Sequence, residues 1–423
     1  TEHALLSSFI NYWMEDVPDV ITGWNIQLYD IPYIARRINR VLGEKLMKRL
    51  SPWGLVSEGE TYIKGRRHIT FDVGGVTQLD YLDLYKKFTY KAQESYRLDY
   101  IASVELGQKK LDHSEFDTFK DFYTKGWQKF IEYNIVDVEL VDRLEGKMKL
   151  IELALTMAYE AKVNYIDVFY QVRMWDNIIY NYLKKRNIVI PPKNRSTKNE
   201  KYAGAYVKEP KAGSYDWVVS FDLNSLYPHL IMQYNISPET LQDTRHPSVT
   251  VDKILNEEIN FELYKDTAVC ANGSMYRKDK RGFLPELMDK IYKDRTIYKK
   301  KMLQAKQDYE KTPTKALEKE IARCNNIQMA RKIQLNSAYG AIGNQYFRYY
   351  KLANAEAITL SGQVSIRWIE NRMNKYLNKV LKTQDVDYVI ASDTDSIYLN
   401  MGPLVESVYK GREKTTEGVV TFL

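Results

Sequence analysis

The feature that most constrains the fold is a long helical pattern over residues 284–345, which only the segment KTPTK (311–315) interrupts. Proline lacks a backbone donor and ends a helix, so the pattern predicts two long helices folded back on each other as a hairpin. Lysines and arginines crowd residues 290–332 and alternate with tyrosines. Cations neutralise phosphates and aromatic rings stack on bases, so this hairpin suits a nucleic acid. A solvated helix surface explains the same residues equally well.

The first part of the chain alternates helix and strand patterns. The predicted elements are a helix over 1–13, a strand leading into a turn over 19–26, a helix over 30–50, a hairpin over 61–73 and mostly helix over 119–160. The hairpin TYIKGRRHITFDV turns at Lys64-Gly65 and carries Lys64, Arg66 and Arg67. It is interpreted either as a basic surface hairpin or as one that contacts nucleic acid.

The segment IVIPPKNRSTKNEKYAGAYVKEPKAGSYD (188–216) is rich in Pro, Lys, Gly and Ser and predicts a domain boundary. The apolar strand WVVSFD (217–222) follows it and is expected to be buried. Residues 345–400 predict a helix and then a hairpin, and GVVTFL (418–423) has the β-branched character of a strand. The class is therefore mixed α and β in several domains.

Composition excludes some classes of protein. A chain of 423 residues with 44% hydrophobic residues is expected to form several globular domains, and it contains no apolar run of 18 residues that would predict a membrane span. Two cysteines, Cys270 and Cys324, do not suit a disulfide scaffold and favour a reducing compartment. The net charge of +7 is too common to indicate a partner. The chain has no initiator methionine or leader and begins within a helical pattern, so we expect a segment of a longer protein.

Two aspartates, Asp393 and Asp395, stand between apolar runs in VDYVIASDTDSIYLN (386–400). They are candidate metal ligands at the tip of a hairpin, or simply turn residues. A second Asp-x-Asp pair, Asp385 and Asp387, lies immediately upstream, so this spacing alone does not decide.

Asp222 ends the strand WVVSFD and is followed by a turn, LNS. A carboxylate at the end of a buried strand is costly unless it is paired or bound to a metal. The amides of Ser225 and Leu226 are candidates to face an anion while Asp222 faces a cation. The alternative is an aspartate that caps the following turn.

In MARKIQLNSAYGAIGNQYFRYY (329–350), Lys332, Asn336 and Tyr339 share one helix face, and Gly340 follows. A cation for phosphate, a ring for stacking and a glycine for close approach suit a nucleoside triphosphate. Arg295 and Lys299 repeat the cationic spacing on the preceding helix. Exposed polar residues on a surface helix are the alternative.

A third group lies upstream. Asp30 follows a predicted strand and turn, and Tyr133 and Asp137 are four apart on one helix face in FIEYNIVDVELV. A carboxylate with a phenol one turn away is able to hold a metal and orient a water that attacks phosphorus. The spacing is common by chance and is weak alone.

The order of these groups resembles the family B DNA polymerases. DLNSLYP, KIQLNSAYG and DTDS match that family's motifs A, B and C in sequence order. NIQLYD and YNIVD resemble its second and third 3′→5′ exonuclease motifs, and YAGAYVKEP (202–210) resembles its linker between the exonuclease and polymerase halves. The resemblance covers nearly the whole chain, and the amino-acid sequences of the motifs are similar to those in polymerases of T4-like bacteriophages.

The resemblance implies a role for each matching residue. Asp222, Asp393 and Asp395 would be catalytic, with two Mg²⁺ ions between Asp222 and Asp395 and the carbonyl of Leu223 as a further ligand. The residues implied to bind the nucleotide are Ser225, Leu226, Tyr227, Arg295, Lys299, Lys332 and Asn336. The residues implied to bind DNA are Tyr202, Gly204, Tyr339 and Gly340. In the exonuclease half, Asp30, Tyr133 and Asp137 would be catalytic, with Asp30 and Asp137 as ligands of two further Mg²⁺ ions in the complete protein.

The resemblance also implies a multidomain α/β fold with an RNase H-like exonuclease domain, a palm with an antiparallel sheet, and helical fingers. The expected boundaries are 1–150 exonuclease domain, 151–193 helical connector, 194–281 first part of the palm, 282–344 fingers and 345–423 second part of the palm. Expected partners are primer-template DNA, dNTPs, a sliding clamp and other replisome proteins, for a monomer in the cytoplasm of an infected bacterium.

Three departures from the family pattern bear on function. Ala391-Ser392 stands where the family usually has Tyr-Gly before DTDS, which predicts an altered but active site. The exonuclease motif with Asp-x-Glu and the thumb are missing, so the chain alone is expected not to proofread and to hold DNA weakly. The rival interpretations are a catalytically impaired nucleic-acid-binding fragment and a stand-alone nuclease. The second leaves Tyr227 and residues 331–340 unexplained.

Overall fold

The computed structural model describes residues 1–89, 91–193, 202–411 and 413–423. The chain divides into two compact units, Thr1–Met174 (unit 1) and Trp175–Leu423 (unit 2). The five-part domain plan predicted above is neither supported nor opposed by this division and stays a prediction. Within the described ranges, every helix is too short or too polar to cross a membrane.

Unit 1 contains eight helices and four short strands among its described residues. The helices are α1 Glu2–Glu15, α2 Asp30–Leu42, α3 Glu44–Met47, α4 Tyr81–Phe88, α5 Leu98–Leu106, α6 Phe119–Lys125, α7 Trp127–Met148 and α8 Leu150–Ala161, with 3₁₀ turns at Lys48–Leu50 and Tyr165–Phe169. The strands are β1 Val20–Ile21, β2 Val56–Ile63, β3 Arg66–Val73 and β4 Thr77–Gln78. Helix α9, Gln171–Lys184, runs from unit 1 into unit 2.

The predicted hairpin in unit 1 is confirmed, because β2 pairs antiparallel with β3 and the turn falls at Lys64 and Gly65, both with positive φ. Two other predictions were too long. In the segment 19–26, predicted as a strand leading into a turn, the strand is only Val20–Ile21, paired parallel with β4. The helix over 30–50 ends at Leu42, because Gly43 adopts φ +91° and interrupts it.

Unit 2 holds two sheets and seven further helices in the described part of the chain. Its strands are β5 Val207–Lys208, β6 Val218–Asp222, β7 Leu241–Arg245, β8 Thr267–Val269, β9 Ser274–Arg277, β10 Val389–Asp393 and β11 Ser396–Asn400. Its helices are α10 Leu226–Gln233, α11 Val251–Leu255, α12 Phe283–Lys311, α13 Lys315–Ile342, α14 Leu352–Leu381, α15 Gly402–Val408 and α16 Thr416–Phe422, with a 3₁₀ turn at Glu262–Tyr264.

The central sheet of unit 2 has the strand order β5-β10-β11-β6, and all its pairs are antiparallel. One face packs on α14 through a core of buried residues: Ile366, Leu377, Tyr388, Val389, Ile397 and Leu399. Strands β10 and β11 form the predicted hairpin, and β6 lies beside β11. This packing fixes which residues meet at the end of the sheet.

The helical hairpin predicted from residues 284–345 is confirmed as α12 and α13. The turn between them contains Pro313, and the Thr314 side chain accepts a hydrogen bond from the amide of Leu317 at 3.2 Å. That bond satisfies one of the free amides at the start of α13, so the local sequence is sufficient to end one helix and begin the next.

Two predictions for unit 2 were wrong. The strand that ends at Asp222 is largely exposed, because β6 lies at the edge of the sheet instead of in its interior. Residues 416–422 form helix α16, although GVVTFL predicted a strand. The Thr415 side chain accepts from the Gly418 amide at 3.1 Å, and Val419 is buried, so a helix cap and one packed residue outweigh β-propensity.

Ser392, one of the two departures just before DTDS, lies buried in β10, and its hydroxyl has no hydrogen-bond partner among the described residues. A buried hydroxyl without a partner destabilises the folded state. We therefore expect Ser392→Ala to raise the free energy of unfolding by about 1 kcal/mol. Urea unfolding checks this, with Ser365→Ala as the control, since that hydroxyl donates to the Ser361 carbonyl at 3.0 Å. A loss of stability in Ser392→Ala contradicts the prediction.

Candidate active site

Three carboxylates lie near one another at one end of the central sheet. Asp393 ends β10, Thr394 turns the chain with φ +54°, and the Asp395 amide donates to the Asp393 carbonyl at 2.6 Å. Across the sheet, Asp222 of β6 is paired with Ser396 of β11. The Leu223 amide also donates to the Asp395 carbonyl at 2.8 Å, so β6 is fixed beside the turn.

The electrostatics of this end of the sheet show that its carboxylates interact. Burial raises the pKa of Asp395, and repulsion from Asp222 and Asp393 raises it further. The Ser396 hydroxyl donates to Oδ2 of Asp222 at 3.1 Å. A divalent cation would relieve the repulsion, and two carboxylates with the Leu223 carbonyl are oxygen ligands of the kind that Mg²⁺ prefers. The types of donor therefore fit magnesium, although the three carboxylates as they lie do not form a metal-binding cluster, and no other three His, Cys, Asp or Glu side chains in the described ranges do so.

Asp387 of the upstream Asp-x-Asp pair has a structural role. Asp387 accepts from Lys208 at 2.7 Å and from Asn374 at 2.8 Å, and it pairs with Lys211 at 2.9 Å. Although burial alone would raise the pKa of Asp387, these partners hold it well below its usual range. The Lys208 ammonium also pairs with Glu370 of α14, so this network fastens β5 to the sheet and to α14.

The turn after β6 positions Tyr227. Ser225 adopts a left-handed conformation with φ +56°, and the Leu226 amide donates to the Leu223 carbonyl at 3.1 Å. That amide, predicted to face a phosphate, is thus engaged within the turn in this structure. Tyr227 follows in the first turn of α10, half-buried, with its ring centroid 4.7 Å from that of Tyr339. Burial raises the pKa of Tyr227 to about 12, with Asp395 as the next cause.

The residues predicted to share one face of α13 belong to unit 2 as well. Lys332 and Tyr339 are half-buried, whereas Asn336 and Gly340 are exposed. The Tyr339 hydroxyl lies 3.0 Å from that of Tyr202, which belongs to the segment predicted to link the two halves of the protein. The structure thus brings Tyr202, Tyr227 and Tyr339 together in one cluster.

Helix α12 contributes two cations, Arg295 and Lys299, that are suited to an anion. Arg295 is half-buried, and its Nε is a buried donor for which the described residues provide no acceptor. Lys299 lies one turn later and is exposed. An unpaired guanidinium donor is costly inside a protein unless a ligand accepts from it.

The segment predicted to link the two halves of the protein is held by α14. The hydroxyl of Thr359 donates to the Ala203 carbonyl at 2.9 Å, and the amide nitrogen of Gln363 donates to the Gly204 carbonyl at 2.7 Å. Both bonds join residues more than 150 positions apart in sequence. Sequence spacing therefore gave no signal for Thr359 or Gln363.

In unit 1, Asp30 is the first residue of α2, and burial raises the pKa of its carboxyl. Tyr133 and Asp137 share one side of α7 as predicted. Lys110 joins them, because its ammonium donates to Asp137 Oδ2 at 2.6 Å and to the Tyr133 hydroxyl at 3.3 Å. The other oxygen of Asp137, Oδ1, is buried without a donor in the described part of the chain, which fits a carboxylate able to take up a cation.

Lys110 was missed by the sequence analysis, since it lies 27 residues before Asp137 with no motif to connect them. Both side chains are mostly shielded from water, and their charge-assisted bond is of the stronger kind. We expect Lys110→Met to lower the stability of unit 1 by about 2 kcal/mol at pH 7, measured by denaturant unfolding. Lys109→Met is the control, because Lys109 is exposed.

The pH dependence of this effect follows from the pKa of Lys110. Burial lowers it, but the bonds with Asp137 and Tyr133 outweigh burial, and the net direction is upward from 10.5. A lysine whose pKa is raised by folding stabilises the fold at neutral pH and loses that contribution as pH rises through the folded value. The stability difference between the parent and Lys110→Met should therefore shrink above about pH 10.5. A difference that is absent at pH 7 contradicts the pairing.

Comparisons with sequence profiles and with known proteins indicate the same protein family. The sequence profile of DNA polymerase family B matches residues 170–414, and the profile of the family B exonuclease domain matches residues 1–101. The DNA-directed DNA polymerases of Escherichia phage RB69 and Enterobacteria phage T4 are each 37% identical to the chain. Each alignment covers 100% of this chain and 51% of the relative.

A more distant relative extends the likeness beyond phages. The DNA polymerase delta catalytic subunit of Candida albicans is 27% identical over 95% of this chain and 38% of its own length. The chain spans about half the length of the two phage relatives, so the match concerns a part of those proteins.

Proposed function

The chain belongs to DNA polymerase family B, and from that premise we propose that unit 2 adds dNTPs to the 3′-hydroxyl of a primer under the direction of a template. One observation carries the proposal. The pairing of β6 with β11 sets Asp222 beside the Asp393–Asp395 turn, where burial, with repulsion from Asp222 and Asp393, raises the pKa of Asp395. Such repulsion is tolerated where a cation is to be bound.

The three carboxylates are assigned to the reaction centre, with Asp222, Asp395 and the Leu223 carbonyl as ligands of two Mg²⁺ ions and Asp393 shaping the site. When bound, the metal ions supply positive charge at the triphosphate and favour ionisation of the primer hydroxyl. The chain's own contribution is to keep these residues near one another at one end of the sheet before substrate arrives. Ser396 supports that arrangement, since its hydroxyl orients Asp222.

The triphosphate is assigned to the cations of the helical hairpin. The residues proposed to bind it are Arg295, Lys299, Lys332 and Asn336, together with the amides of Ser225 and Leu226. The buried, unpaired Nε of Arg295 supports the assignment, because a phosphate oxygen would supply the missing acceptor. The Leu226 amide would have to exchange its bond to the Leu223 carbonyl for one to phosphate.

Tyr227 is assigned to the sugar of the incoming nucleotide, where its ring would exclude a 2′-hydroxyl. Tyr202, Gly204, Tyr339 and Gly340 are assigned to the DNA. The contact between the Tyr202 and Tyr339 hydroxyls supports a shared surface, since it joins the linker to the helix that carries Lys332. The half-buried rings leave flat, apolar surface for a base pair.

Unit 1 is proposed to contribute to a 3′→5′ exonuclease site through Asp30, Tyr133 and Asp137, with Asp30 and Asp137 as ligands of two Mg²⁺ ions in the complete protein. The buried and unpaired Oδ1 of Asp137 supports this. The domain plan of exonuclease domain, connector, palm, fingers and second palm segment is proposed with the boundaries given above. The biological setting is phage DNA replication in the cytoplasm of an infected bacterium, with a sliding clamp and replisome proteins as partners.

Primer extension tests the proposal. A labelled primer annealed to a longer template is incubated with the protein, dNTPs and Mg²⁺, and extended products are resolved by length. We expect extension that follows the template base and is abolished by EDTA. Binding of primer-template without any extension would instead favour the catalytically impaired nucleic-acid-binding protein, and degradation alone would favour the nuclease.

A further inference from the structure

Gly362 lies in the middle of the 30-residue helix α14 and is buried. Glycine is a poor residue for a helix interior, because it loses more backbone freedom on folding than alanine does. Its position here has a steric explanation. A β-carbon built at Gly362 would lie 3.1 Å from Cε1 of Tyr227, closer than ordinary van der Waals contact.

The surroundings of Tyr227 limit how the ring could respond. The same β-carbon would lie 3.6 Å from Leu230 and 3.7 Å from Leu226, two buried residues that hold α10 against α14. The Tyr339 ring also contacts Tyr227 in a tilted arrangement, with centroids 4.7 Å apart and an interplanar angle of 57°. Because Gly362 is buried and Tyr227 is half-buried, a side chain at position 362 would displace the ring toward the open side.

We propose that Gly362 is a positioning residue for nucleotide selection: its missing side chain sets the depth of the Tyr227 ring and hence the space left for the sugar of the incoming nucleotide. The inference rests on the proposed function, since it assigns a second residue to the sugar contact of Tyr227. A role in helix packing alone would make a different prediction. If Gly362 positions the ring, the effect of a methyl group at position 362 on KM and sugar preference should require the Tyr227 ring.

The test is steady-state incorporation of one dNTP and of the matching ribonucleotide by the parent protein and Gly362→Ala. A ring displaced by a few tenths of an ångström toward the sugar should raise KM for the dNTP about tenfold and change kcat much less. The ribonucleotide, with its extra hydroxyl, should lose more than the dNTP, so the preference for deoxyribose should increase. KM and sugar preference within twofold of the parent would overturn the proposal.

A double substitution separates positioning from packing. In the Tyr227→Ala background, Gly362→Ala should leave KM and sugar preference unchanged, because the ring that the methyl displaces is gone. An effect of the same size in both backgrounds means that Gly362 acts through helix packing and overturns the proposal. Gly146→Ala is the matched control in α7, where a β-carbon would meet nothing within 4 Å, and it should leave both parameters unchanged.

Unfolding by urea gives a readout that does not need turnover. Gly362→Ala should lower the unfolding midpoint of unit 2 in the parent background but not in Tyr227→Ala, even if the single variant folds poorly. Equal losses of the unfolding midpoint in both backgrounds would show that the methyl group does not act on the Tyr227 ring, and would overturn the proposal. If instead Tyr227→Ala leaves sugar preference unchanged while the unfolding results hold, the contact stands and the assignment of Tyr227 in the proposed function fails.

Discussion

Asp395→Asn should reduce dNTP incorporation by about 10³-fold or more, which corresponds to about 4 kcal/mol in the activation free energy. The amide keeps the size and shape of the side chain but removes the negative charge. It therefore removes a proposed metal ligand and leaves the turn at Thr394 intact. Primer extension at saturating dNTP measures the loss, and incorporation equal to that of the parent would defeat the metal assignment.

The fold should survive this substitution. Folding raises the pKa of Asp395, first through burial and then through Asp222 and Asp393, so the ionised carboxylate costs stability at pH 7. Replacing it by a neutral amide should leave the free energy of unfolding unchanged or increased. A large loss of stability would mean that inactivity reports misfolding instead of chemistry.

The matched control is Asp385→Asn in the neighbouring Asp-x-Asp pair. Asp385 is exposed and has φ +53°, a left-handed conformation that asparagine adopts as readily as aspartate. Its partner Asp387 is engaged with Lys208 and Lys211 and has no place in the proposed reaction. We expect full activity in Asp385→Asn. The same chemical change would then abolish activity at Asp395 but not at Asp385, which distinguishes the two Asp-x-Asp pairs.

Local signals in the sequence predicted elements well where their causes are local. Pro313 and Thr314 end one helix and cap the next within three residues, and the α12–α13 hairpin was predicted with nearly its observed bounds. The turn at Lys64-Gly65 is of the same kind. The strand predicted over 418–423 was wrong because the hydrogen bond from the Gly418 amide to the Thr415 side chain competes with the strand propensity of two valines.

The site depends on contacts that spacing cannot reveal. Ser396 donates to Asp222 across 174 residues, and no periodicity connects them. The resemblance to a family supplied the order of the motifs and so pointed to Asp222 and Asp395 together, but it did not indicate that β6 would be an exposed edge strand. Lys110 and Gly362 were missed for the same reason, since each acts on a residue far away in the chain.

Tyr227→Ala should admit ribonucleotides, with the preference for dNTP over the matching ribonucleotide falling by about 10²-fold. In the proposed function the ring fills the space that a 2′-hydroxyl would need. The ring is held on two sides, by Tyr339 at a centroid distance of 4.7 Å and by the backbone of α14 at Gly362, so it cannot easily move aside. Removing it opens space at the sugar without changing the charges of Asp222 or Asp395.

Competition between dNTP and ribonucleotide in single-nucleotide extension measures this preference directly. Tyr227→Phe is the matched control: it keeps the ring and loses only the hydroxyl, so discrimination should stay within about threefold of the parent if exclusion is steric. A large loss in Tyr227→Phe would assign the effect to hydrogen bonding by the hydroxyl. Unchanged discrimination in Tyr227→Ala would remove the ring from sugar selection, while the carboxylates at the end of the sheet would keep their proposed role.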